Sequence, residues 1–61
     1  MNKFIELTAI ESGTALINIS HIIYFHPTEN GTFVLLIEGK TKNVKESYED
    51  IKKTLKNLDN F

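Results

Sequence analysis

The chain has no cysteine and no arginine, and it has a single proline. Without cysteine there is no disulfide framework, no thiolate metal site and no cysteine nucleophile. That absence fits a reducing compartment, and it leaves packing or association as the sources of stability. Without arginine the chain lacks the usual bidentate reader of guanine and phosphate. An excess of one charge is missing too: seven lysines stand against eight Asp and Glu, a formal net charge of -1. This excludes a protein held to nucleic acid or to an anionic membrane by bulk charge. No stretch approaches the roughly 18 uncharged apolar residues that a membrane-spanning helix requires, and Lys3 and Glu6 break the apolar residues of the N-terminus. Neither a signal peptide nor a transmembrane helix is expected, and the expected location is cytoplasmic.

What remains is short. Sixty-one residues, 41% of them apolar, suit one domain over residues 1–61, and a chain of this length buries only ~60% of its unfolded surface. With no disulfide to add stability, self-association becomes one way for so small a domain to complete its core. Residues 3–10 alternate, with Ile5, Leu7 and Ala9 on one side and Phe4, Glu6, Thr8 and Ile10 on the other, as in a half-buried strand. Glu11-Ser12-Gly13 reads as a turn, residues 14–18 as a second strand, and residues 18–21 as an irregular corner. Residues 22–26 are β-branched and aromatic enough for a third strand, which Pro27 is expected to end. Asn30-Gly31 predicts a hairpin into a fourth strand over 32–37, and Glu38-Gly39 a second tight turn. Residues 40–44 are polar on one side in the manner of a solvated or edge strand.

From Ser47 the period changes. Tyr48, Ile51, Leu55 and Leu58 recur at spacings of three and four, which predicts a helix over about 48–58 with Ser47 as its N-cap and Asp50 three residues on. Ile51 and Leu55 are expected to be its buried residues. The fold class is thus α+β: a curved antiparallel β-meander of four to five strands, over about 3–44, with one C-terminal α-helix.

Strands three and four are apolar on both faces. Alternation sets Ile22 and Tyr24 against Ile23 and Phe25, and Phe33, Leu35 and Ile37 against Val34 and Leu36. One helix covers one face; the other needs sheet curvature or a second molecule. A homodimer buried through Tyr24, Phe33, Leu35 and Ile37, or through the opposite set Ile23, Phe25, Val34 and Leu36, meets that need, and a closed barrel-like monomer is the alternative.

Candidate chemistry is thin. Gly39-Lys40-Thr41 matches the end of a phosphate-binding loop, but Val34 stands where the first glycine belongs and a strand follows instead of a helix. His21 and His26, five apart on or near one strand, point to opposite faces and do not converge on one ion without a bulge. Ser20 beside His21 lacks an acid to orient the imidazole. Asn18-Ile19-Ser20 and Asn30-Gly31-Thr32 fit the glycosylation pattern but read better as a corner and a hairpin. No catalytic residues, cofactor or metal are expected. The first 39 residues carry an excess of acid, whereas Lys40, Lys42, Lys45, Lys52, Lys53 and Lys56 follow it and offer possible nucleic-acid contacts.

In order and spacing, Leu16-Ile17-Asn18, Gly31-Thr32, Gly39-Lys40 and Val44-Lys45-Glu46-Ser47 leading into Tyr48-Glu49-Asp50-Ile51 resemble the small FlbD-like proteins, first named from flagellar gene clusters. The resemblance covers about residues 4–55. Residues 19–55 also resemble the later strands and helix of LytTR-type DNA-binding domains. Neither resemblance implies an enzyme. The expected function is a non-catalytic interaction module with itself as a partner and a further protein partner unknown; the alternative is a nucleic-acid-binding regulator using the lysines.

Overall fold

Alternation builds the first hairpin. Along β1 (Phe4–Ala9) the residues Ile5, Leu7 and Ala9 are buried while Phe4 and Glu6 face water, and β2 (Gly13–Asn18) pairs with it from Phe4 opposite Asn18 to Ala9 opposite Gly13. The computed structural model describes residues 3–59, so residues 1, 2, 60 and 61 of the expected domain lie outside the described residues. Three further strands, β3 (Ile22–Thr28), β4 (Gly31–Leu36) and β5 (Thr41–Val44), complete one antiparallel sheet in the order β2-β1-β5-β4-β3.

Only Ile19–His21, one turn of 3-10 helix, joins the edge strand β2 to the edge strand β3. Across a flat sheet the two edges would stand ~19 Å apart at the usual strand spacing, whereas three 3-10 residues rise only ~6 Å. The sheet must curl until its edges approach. Read around the curl, the strands run in chain order with one unpaired seam between β2 and β3. The corner is fixed locally: the Asn18 side-chain oxygen accepts from the Ser20 N–H at 3.0 Å and from its hydroxyl at 2.7 Å, and the Ile19 N–H donates to the Lys3 carbonyl at 2.9 Å.

Pro27 does not end β3, which continues to Thr28 with Pro27 opposite Thr32. An edge strand tolerates proline because the missing N–H can face away from the ladder. The register shifts between Ile22 and Tyr24, a bulge that breaks simple alternation. Ile22, opposite Leu36, and Phe25, opposite Val34, therefore both pack against the core, and Tyr24 alone of the expected Ile22–Tyr24 pair faces out.

The hairpin that follows is centred on Glu29 and Asn30, not on Asn30-Gly31, because Thr28 pairs with Gly31. Gly31 serves a different purpose. At φ 149° it lies against the end of β5, where a Cβ would overlap the Val44 carbonyl oxygen and come within 3.0 Å of the Val44 and Lys45 carbonyl carbons. β4 stops at Leu36, so Ile37 belongs to the next reversal, in which Glu38 (φ 63°) and Gly39 (φ 75°) are both left-handed. Two such residues make the primed turn that fits the twist of a hairpin.

β5 is an interior strand, not an edge. It pairs with β4 over its whole length and with β1 at Ala9 opposite Val44, after which the two diverge. Its polar residues keep contact with water because β1 covers only its end. The Ser47 hydroxyl accepts from the Asp50 N–H at 3.1 Å and caps α1 (Tyr48–Asp59). Ile51 is 2% exposed and joins Ile5, Leu7, Ile17, Val34, Leu36 and Val44 in the core. Leu55 is only half-buried: it lies over the seam, where it lines a shallow hollow with Ile19, Ile22 and Phe25. Among the described residues no helix is long and apolar enough to cross a membrane.

Candidate interaction surfaces

Cross-strand pairing decides which side chains share a face. Tyr24, Leu35 and Thr41 form one outward row across β3, β4 and β5, and His26, Phe33 and Asn43 form the next. The rings of Tyr24, His26 and Phe33 are mutual neighbours, with centroids 5.1 to 6.5 Å apart and tilted planes, the offset arrangement that aromatic quadrupoles favour. Tyr24 is 51% exposed, and Phe33 and Leu35 are half-buried. Of the expected set, Tyr24, Phe33 and Leu35 thus share the face, and Ile37, 38% exposed, sits on the adjoining turn. The opposite set is not a surface. Val34 and Leu36 are core residues, Phe25 is half-buried with its ring tilted against that of Tyr48 at 5.3 Å, and Ile23, at the bulge, is the one exposed member.

The six lysines are divided between the β4–β5 turn, β5, the connector after it and α1. Lys40 follows the left-handed turn, Lys42 lies in β5 opposite Val34, Lys45 follows β5, and Lys52, Lys53 and Lys56 are on α1. Lys40 and Lys45 alone are separated by ~16 Å of extended chain. Lys52 places its ammonium 5.9 Å from the Tyr48 ring centroid. His21 sits in the corner and His26 on the outer face; among the described residues no group of three or more histidines and carboxylates is placed to hold a metal.

One side chain that shapes the surface beside β1 has no signal in the sequence. Lys45 N–H donates to the Thr8 carbonyl at 2.8 Å, and in a regular ladder the Thr8 N–H would answer to Lys45; instead it donates to Glu46 Oε1 at 2.8 Å, while the Thr8 hydroxyl donates to Oε2 at 2.9 Å. The carboxylate replaces the ladder where the chain leaves the sheet. The buried Thr32 hydroxyl fastens the same residue by donating to the Glu46 carbonyl at 2.8 Å. Burial alone would raise the Glu46 carboxyl, but the Thr8 N–H, the Glu46 N–H, the Thr8 hydroxyl and the Lys45 cation outweigh it and hold it below the ordinary carboxylate range.

A lowered carboxyl stabilises the fold above its ordinary titration range and loses that contribution as pH falls through the folded value. Glu46→Gln is therefore expected to lower stability by ~1 kcal/mol at neutral pH, the difference between a charge-assisted and a neutral hydrogen bond. In urea titrations the gap between wild type and variant closes as pH falls below the carboxylate range. A gap unchanged at pH 3 would mean that charge is not what Glu46 supplies.

Beside this bond β1 and α1 enclose a groove of about 300 Å³, lined by Phe4, Glu6, Leu7, Glu46, Asp50 and Ile51 among others. No protein-family model matches the chain, and neither the curated proteins nor the solved structures contain a match.

Proposed function

We propose that the chain is a cytoplasmic, non-catalytic interaction module that pairs with a second copy of itself through the outer face of β3 and β4. The carrying observation is the cluster of exposed Tyr24 with half-buried Phe33 and Leu35 on the outer face of a strand pair whose other face is already packed. The two outward rows contain no lysine, aspartate or glutamate. A two-fold axis through such a patch brings no like charges together, which is what an isologous contact requires. The resemblance to FlbD-like small proteins is in keeping with a role exercised by binding. The lysines belong to a turn, a strand, a connector and a helix, and a nucleic-acid-binding regulator using them is the second reading.

Sedimentation equilibrium across a wide concentration range tests the reading. Wild type is expected to approach twice the monomer mass, and Tyr24→Glu, which sets two carboxylates against each other across the axis, to remain monomeric with an unchanged far-UV spectrum. A monomer mass for the folded wild type at every concentration overturns the proposal and leaves the curled monomer as the solution to its own exposed face.

A further inference from the structure

β1 has two hydrogen-bonding edges, and they meet different fates. The Ile19 N–H donates to Lys3, and the same register continues through Ile5 opposite Ile17 and Leu7 opposite Ala15, so the odd-numbered residues turn their backbone groups toward β2. The even-numbered residues turn theirs the other way. Ile10 and Thr8 are met there, by the Asn43 carbonyl at 2.8 Å, by the Lys45 N–H and by the Glu46 carboxylate. Continued past Ala9 opposite Val44, the ladder would place Ser47 beside Glu6 and Glu49 beside Phe4. The chain does not continue: it turns at Ser47 into α1. The N–H and C=O groups of Phe4 and Glu6 therefore open on the groove between β1 and α1.

That groove combines three properties. It offers strand-edge backbone, an apolar wall from Ile51 and Leu58, and three carboxylates, Glu6, Glu46 and Asp50, with no lysine among the lining residues. Lys3 reaches its end and donates to the Leu58 carbonyl at 2.6 Å. Thr8 fixes the Glu46 carboxylate at the rim through its N–H and its hydroxyl. We infer that the groove binds an extended peptide segment in which lysine or arginine flanks an apolar residue, added as a short strand along residues 4–6. The peptide backbone pairs with Phe4 and Glu6, its apolar side chain turns in toward Ile51 and Leu58, and its cations meet the acidic rim. Alternation of side chains along a strand produces this basic–apolar–basic pattern, and backbone pairing with alternate side-chain pockets is how strand-adding domains recognise their partners. Complementary charge selects against phosphate-bearing ligands.

The test uses the full chain, isotope-labelled, and the blocked peptide Lys-Val-Lys-Val-Lys. Fast hydrogen exchange is expected at Phe4 and Glu6 in the free protein, and adding the peptide is expected to shift their amide resonances and to slow that exchange. Glu-Val-Glu-Val-Glu is expected not to bind, and a lysine peptide N-methylated at alternate amides to bind at least tenfold more weakly. The double variant Glu6→Gln, Asp50→Asn, shown folded by circular dichroism, is likewise expected to bind at least tenfold more weakly. Equal affinity for the N-methylated peptide overturns the inference, because attraction would then be charge alone. Slow, concentration-independent exchange at Phe4 and Glu6 without peptide also overturns it, by showing the edge covered by the chain itself, and concentration-dependent protection overturns it in favour of a second copy. No shift at millimolar peptide ends it directly.

Discussion

Gly31→Ala is expected to leave the domain largely unfolded in buffer at room temperature. The methyl group meets backbone, not a flexible side chain: its position overlaps the Val44 carbonyl oxygen, and the carbonyl carbons of Val44 and Lys45 are at 3.0 Å. Relief requires the end of β5 to move. That end carries the pairing of Val44 with both Ala9 and Thr32, and Val44 is 1% exposed. A left-handed φ adds to the cost for any residue with a Cβ. A domain of this size has a total stability of only about 3–9 kcal/mol, so displacement of its central strand exceeds what the fold can absorb. Far-UV circular dichroism with a urea titration reads the result. A folded variant with an unmoved midpoint would show that β4 and β5 do not approach as closely as Gly31 implies.

Ile51→Ala follows closely in size. Ile51 is the fully buried residue of the α1 stripe, seated among Ile5, Leu7, Ile17, Val34 and Val44. Replacing it removes about 2–5 kcal/mol through lost burial and the cavity left behind. Leu55→Ala, at a half-buried position over the seam, is expected to cost clearly less. Chemical denaturation of both variants distinguishes them. Equal losses would mean that α1 docks along its whole length instead of chiefly through its first turns.

The ordering of these two leucine and isoleucine positions shows where reading the chain reaches its limit. Periodicity places Tyr48, Ile51, Leu55 and Leu58 on one face, and the structure agrees, with Ser47 capping as its hydroxyl suggests. Depth of burial depends on what lies opposite, and at Leu55 that is the unpaired seam between two strand edges. Alternation in β1 was legible for the same reason as the helix: each repeats a local geometry. The extra residue at Ile23 was not, since a bulge shifts register without altering composition. Asn30-Gly31 signalled a hairpin correctly but not its centre, because the glycine answers to Val44, thirteen positions away, more than to its own turn. β5 looked like an edge because its outward residues are polar, yet its neighbours β1 and β4 lie on either side. Tyr24, Phe33 and Leu35 were found by their apolarity on a second face. Glu46 and the groove beside it were invisible, because the bond to Thr8 joins segments 38 residues apart and nothing local marks it.

The three-residue corner between β2 and β3 also bears on how such a chain finds its fold. Ala9 and Val44 meet although they lie ~35 residues apart along the chain, and loop closure on that scale carries an entropic cost that grows with the logarithm of its length. Most of the intervening residues belong to hairpins whose strands are neighbours in sequence. Once the hairpins zip, the span still unconstrained between the two halves shrinks to the corner itself, and Asn18 already orders that corner through Ser20. The pairing of Ala9 with Val44 thus becomes, for a chain with its three hairpins formed, a short-range one. The cost of bringing β1 and β5 together is then that of closing the corner, not that of closing the whole intervening chain.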